Sequence, residues 1–132
     1  MKKLLVWTVL LFSFSVMAQN GLAYQLFDSK GKKTSYNKLV KASQKAELIL
    51  FGEFHDNPIS HWMQLKLTKE LHKTNSLVLG AEMIERDNQP QLDQYLRGEI
   101  NQRGLDTLAR LWSNYKTDYK PLVDFAKDHQ LI

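Results

Sequence analysis

The ionisable groups best placed to do chemistry fall in one short run. Glu53, His55, Asp56 and Asn57 are close neighbours, His61 follows one helical turn later, and Glu82 ends a second apolar stretch further on. Residues two apart in extended backbone project to the same side, as Glu53 and His55 must if they are to act on one ligand. With Glu82 they form an oxygen and nitrogen donor set suited to a divalent ion such as zinc or manganese with an open position. Such an ion polarises a carbonyl or generates a hydroxide, with a spare carboxylate as base, which is the chemistry of a metal-dependent hydrolase. The same residues also permit a structural reading, in which Glu53 and Asp56 cap the following helix and His55 bonds to loop backbone. Without a CxxC or HExxH pattern, spacing does not separate the two. His61 has two readings as well: aimed back at the run, or on the helix surface.

These residues need elements to position them. Leu48-Ile49-Leu50-Phe51 reads as a strand buried on both faces, and it runs directly into Gly52 and Glu53. Asn57-Pro58 supplies an N-cap followed by a proline suited to the first helical turn. Ile59, Trp62, Met63, Leu67 and Leu71 then follow the spacing of an amphipathic helix ending near Lys73 to Asn75. Ser76 to Ala81 is a second buried strand, and the connection is long enough for a right-handed parallel crossover. In an open α/β sheet ligands bind beyond the carboxyl ends of such strands, so Glu53 to Asn57 and Glu82 to Asp87 are expected to line one crevice. The expected fold class is therefore α/β, a parallel-strand sheet flanked by helices. Two full strands are few for that many helices, so the domain is expected to be incomplete, the N-terminal part of a larger one.

Elsewhere, Ala23 to Asp28 leads through a turn ending at Gly31 into a hairpin or edge strand, and Ser35 caps a helix to about Ala42. Pro90 opens a helix with Leu92, Tyr95 and Leu96 inward and Gly98 as its stop. A longer helix is expected from about Leu105, with Leu108, Trp112 and Tyr115 on one face. Pro121 marks a break before a last helix with Leu122, Phe125 and Ala126 inward.

Composition narrows the class. At 132 residues with 43% hydrophobic content the chain forms one folded domain rather than a disordered segment. Lys2 and Lys3, the uncharged run Leu4 to Val16 and then Val16-Met17-Ala18 have the three parts of a secretory signal peptide, 1–18, leaving 19–132 as the mature domain. The uncharged run is short of the roughly 20 residues needed to span a bilayer. Loss of those two lysines lowers the formal charge from +4 to +2, and the remaining lysines are scattered among acids without an aromatic-interleaved stripe, so nucleic acid is not an expected partner. The absence of cysteine excludes disulfides, thiolate metal sites and a lipidated N-terminal cysteine.

Leu50-Phe51-Gly52-Glu53-Phe54-His55-Asp56-Asn57, His61, Leu79-Gly80-Ala81-Glu82-Met83, Gln89, Leu92 and Tyr95-Leu96 resemble the ChaN-like haem-binding uptake family, relatives of the Tiki metalloprotease and erythromycin-esterase groups. Trp112, Tyr119-Lys120-Pro121-Leu122 and Phe125-Ala126 continue the resemblance in the same order. It implies an α/β fold, haem as ligand, a role in iron uptake and a place in the periplasm or at the outer membrane. It also implies tyrosine ligation of the iron, for which Tyr115 and Tyr119 are the candidates, with Lys116 and Lys120 in reach of propionates. An aromatic stripe at helical spacing is equally a core feature. On this resemblance Glu53, His55, Asp56, Asn57, His61 and Glu82 shape the haem crevice. The alternative is a metal-dependent hydrolase of the Tiki type using Glu53, His55 and Glu82. A third reading is an inactive remnant whose polar loop caps a helix. A homodimer, and association with the envelope membrane or a haem receptor, are compatible partners. The resemblance places the chain at the N-terminal half of such proteins, many of which are lipoproteins.

Overall fold

A computed structural model of the chain describes residues 22–131; the expected signal segment lies outside them. The described elements are β1 (Leu26–Phe27), β2 (Lys33–Thr34), α1 (Tyr36–Ser43), α2 (Pro58–His72), α3 (Gln89–Leu96), α4 (Gln102–Leu108) and α5 (Lys120–Asp128). A single 3-10 turn, Arg86–Asn88, precedes α3, and a π-helical turn, Tyr115–Tyr119, runs straight into α5.

The helix ends follow from local chemistry. Asn57 holds extended backbone and its side-chain oxygen accepts from the amides of Ile59 at 2.9 Å and Ser60 at 3.2 Å, with Pro58 in the first turn. Ser35 caps α1 through the Lys38 amide, and Asn101 caps α4 through the Gly104 amide. Gly98, at φ 75°, ends α3: its amide bonds to the Tyr95 carbonyl and that of Glu99 to the Gln94 carbonyl, the paired bonds of a Schellman stop. β1 and β2 form an antiparallel hairpin with Leu26 opposite Thr34, closed by Gly31 at φ 73°.

Two packed groups make the interior. Ile84, Tyr95, Leu105, Tyr115, Tyr119 and Val123 form the main core, with Leu92, Leu96, Leu111 and Trp112 against it. Met63, Leu67 and Leu71 are the buried stripe of α2, which packs against α1, the π-helical turn and α5. Ile59 and Trp62, expected inward, are exposed at the open end of that stripe. Trp62 instead meets Tyr24, ring centroids 5.5 Å apart, and the Lys66 ammonium. In α5 the buried residues are Val123 and Ala126.

Two expectations are corrected. The parallel-strand sheet is not formed: among the described residues the only sheet is the β1–β2 hairpin. Residues 47–53 and 76–80 make no backbone–backbone hydrogen bonds there, and Leu50 and Val78 are 86% and 79% exposed. Two strands by themselves would leave both outer edges unpaired, and helices gathered on their own core leave the apolar faces uncovered, so pairing gains little over water. The segments nevertheless share both ends. Gln44 bonds to Thr74 and accepts from Asn75 where they begin, while Glu53 bonds to Tyr119 and Ala81 packs on the core containing Tyr119 where they finish.

The second correction concerns the helix expected from Leu105. It ends at Leu108, which is exposed. Buried Asn88 accepts from the Arg110 amide at 2.7 Å, and the Arg110 guanidinium bridges Glu85 and Asp87, so long-range polar bonds draw the chain out of the helix. Glu85 and Asp87 are thereby clamps between loops.

Three checks follow from this packing. Leu105→Ala, at a fully buried site, is expected to lower stability by about 2–5 kcal/mol in urea denaturation. Asn57→Ala should cost about 1 kcal/mol through loss of the α2 cap. Burial, with the Glu53 bond, pushes the Tyr119 phenol up to about 12; burial pushes Tyr115 to about 12; burial and the Asp124 bond raise Tyr95. The unfolded chain ionises these phenols first, so the stability they contribute is present below pH 10 and is lost as pH rises toward about 12. Ultraviolet phenolate absorbance should show three late-ionising tyrosines whose titration coincides with unfolding; ordinary titration of all three would contradict this packing.

Candidate functional site

The segment after Gly52 enters a turn at His55–Asp56, closed by the Asn57 amide on the Phe54 carbonyl at 2.9 Å, and Glu53 and His55 meet against the π-helical turn and α2. The Glu53 side chain is only 6% exposed. Its Oε1 accepts from the Tyr119 hydroxyl at 2.8 Å and from His55 Nδ1 at 3.2 Å; its Oε2 accepts from the Gln64 side-chain amide. Burial pushes the carboxyl upward, but the Tyr119, His55 and Gln64 bonds and the proximity of His61 outweigh it and hold it below the ordinary carboxylate range.

An ionised carboxylate only accepts, so the His55 nitrogen facing it carries the proton. That leaves Nε2 on the far side, and no hydrogen bond engages it among the described residues. The imidazole side chain is 52% exposed and meets the Trp112 indole edge-on, centroids 4.8 Å apart. Its backbone is fixed separately: the His55 carbonyl accepts from Asn114 Nδ2 at 2.7 Å and from His61 Nε2 at 3.0 Å. His61 is buried, packs edge-on against Tyr119 at 4.6 Å, and has Nδ1 3.1 Å from Glu53 Oε2. That contact lies within ion-pair distance but outside hydrogen-bond alignment.

Of the residues singled out in the sequence, Glu53, His55, His61 and Tyr119 meet here. Asn57 is the cap of α2, and Asp56 is an exposed neighbour with no hydrogen bond among the described residues. Glu82 is exposed, and no hydrogen bond or ion pair joins it to Glu53 or the histidines. Among the described residues, no group of three or more His, Cys, Asp or Glu side chains is arranged to hold a metal ion. The set of Glu53, His55 and Glu82 is not assembled among the described residues: Glu53 and His55 meet, but Glu82 does not join them. Tyr115 and Tyr119 are each 2% exposed, with the Tyr119 hydroxyl turned inward to Glu53. Lys116 and Lys120 pair with Asp106 and Asp124.

Two contributors were not legible in the motif. Gln64 lies three residues after His61 on α2, so helical spacing alone could have placed it on the same face. Asn114 carries no local signal; it reaches the His55 carbonyl across 59 positions.

The donor set can be tested against haem. A half-exposed imidazole whose outward nitrogen has no hydrogen bond among the described residues, beside half-buried Trp112, offers a donor next to aromatic surface, a chemistry compatible with haem. A search of curated proteins and of solved structures finds nothing that matches. A scan of protein families matches residues 39–132 to the family described as haem-binding uptake, Tiki superfamily, ChaN. That stretch contains α2 through α5 and every residue of the Glu53 cluster, and the chain belongs to this family.

Proposed function

We propose that the chain is an exported haem-binding protein serving the uptake of haem iron, with its binding face around His55. The observation that carries this reading is the outward imidazole, held from behind by a buried carboxylate, within a stretch that matches a haem-binding family. A ferric haem offers an electron-poor iron and a broad apolar ring. The protein's part is to present an oriented donor and apolar contact, here His55 with Trp112. The segment 1–18 supplies export, and the periplasm or the periplasmic face of the outer membrane is where such a protein would meet its ligand. Among the described residues no helix is long and apolar enough to cross a membrane.

Purified chain titrated with haemin should give a saturable Soret shift with a defined stoichiometry. Absence of saturation, with the protein shown to be folded, would remove this reading.

A further inference from the structure

We propose that residues 76–80 pair antiparallel with the same run of a second copy of this chain, giving a two-fold symmetric dimer joined by backbone hydrogen bonds and an apolar contact at Val78.

The run has the form of a strand without a neighbour. Exposure alternates residue by residue: Leu77, Leu79 and Ala81 are half-buried, while Ser76, Val78 and Gly80 are exposed. That is the pleat of extended backbone laid on the molecule by one face. Ala81 packs on the main core at one end, and Asn75 donates to the Gln44 carbonyl at the other, so the run is held at both ends. Between them its amides and carbonyls make no backbone–backbone hydrogen bond among the described residues. A groove of about 620 Å³ lies beside its first half, lined by Ser76, Leu77 and Val78 together with Gln130 and buried Leu131. Open backbone groups next to a groove are what an added strand needs.

Charge selects the occupant. Residues 74–81 are uncharged, Lys73 precedes them and Glu82 follows, and both of these are exposed. A strand with a base at one end and an acid at the other complements itself when turned end for end about a two-fold axis. With Val78 on that axis, Leu77 of one copy faces Leu79 of the other, Ser76 faces Gly80, and Glu82 arrives beside Lys73 at both ends. Glu82 has no ion pair among the described residues. Lys73 pairs with Glu70 at 2.8 Å, but an exposed pair of that kind contributes little and is readily shared. The two Val78 side chains, each 79% exposed in the single chain, leave water together. The other uncovered stretch lacks these properties. Leu48, Ile49, Leu50 and Phe51 are all exposed without alternation, and Glu47 and Glu53 flank them, so the same symmetry would set acid against acid.

The test is sedimentation of the full chain over a concentration series, which should show a monomer–dimer equilibrium. Val78→Asp sets two carboxylates face to face on the axis and should weaken the dimer by at least about 10-fold. Leu50→Asp, at a similarly exposed site on the other stretch, should leave it unchanged. Lys73→Glu and Glu82→Lys should each weaken it by about 10-fold, because the axis repeats the repulsion, and the double variant should recover the wild-type constant. Since the sequence has no cysteine, Val78→Cys reads the register directly: on oxidation it should form a covalent dimer, and Leu50→Cys should not. All four positions are exposed, so circular dichroism of each variant should match wild type and separate loss of pairing from loss of fold. A monomer at every concentration, a dimer lost in Leu50→Asp but kept in Val78→Asp, or a double charge variant no better than the singles overturns the proposal.

Discussion

Glu53 carries its charge into a setting where almost none of its side chain reaches water, and three donors, two of them from other elements, converge on it to offset the lost solvation. Tyr119 comes from the turn before α5, Gln64 from the second turn of α2 and His55 from the same segment. Hydrogen bonds to a charged group contribute roughly 1.5–3 kcal/mol each, while desolvating a carboxylate costs several kcal/mol. In this cluster the bonds outweigh the desolvation, as the depressed Glu53 carboxyl shows. Its effect is also geometric: any displacement of α2 against α5 strips a donor from a buried charge, and the arrangement tolerates few alternatives.

Around that anchor the helices are organised for rigidity on one side and openness on the other. The cap at Asn57 begins α2 one residue after the exposed Asp56, so the chain passes from solvent into a fixed helix within a few positions. The His55 carbonyl is held by α2 through His61 and by the stretch before the π-helical turn through Asn114. Trp112 packs edge-on against both the imidazole and Tyr119, its ring centroid 4.8 Å from the first and 6.0 Å from the second. Backbone and side chain of one residue are thus fixed by separate sets of bonds, while the outward edge of the ring stays accessible.

Much of the helical frame was legible in the sequence because its signals are local. Asn57-Pro58, Ser35 and Gly98 each announce a terminus by a side chain or a backbone angle that nothing distant overrides. The pairing of Glu53 with His55 was also legible, since residues two apart are close enough to meet, and here a turn at His55–Asp56 brings them together. What failed depended on partners elsewhere. Leu48 to Phe51 and Ser76 to Ala81 have the composition of buried strands, but a strand needs neighbours, and no local pattern says whether they are present. The expected meeting of Glu53 with Glu82 relied on that sheet. The end of α4 was hidden likewise, because Asn88 and Arg110 find each other across the fold. Tyr119 was singled out as a donor by resemblance, whereas its burial and inward hydroxyl arise from packing that spacing cannot report.

The two uncovered stretches have a bearing on how the molecule behaves in company. An extended, uncharged run such as Leu48 to Phe51, with its amides and carbonyls open to water, is a template that any other extended polypeptide can complete. The same openness makes them the first bonds a protease would reach.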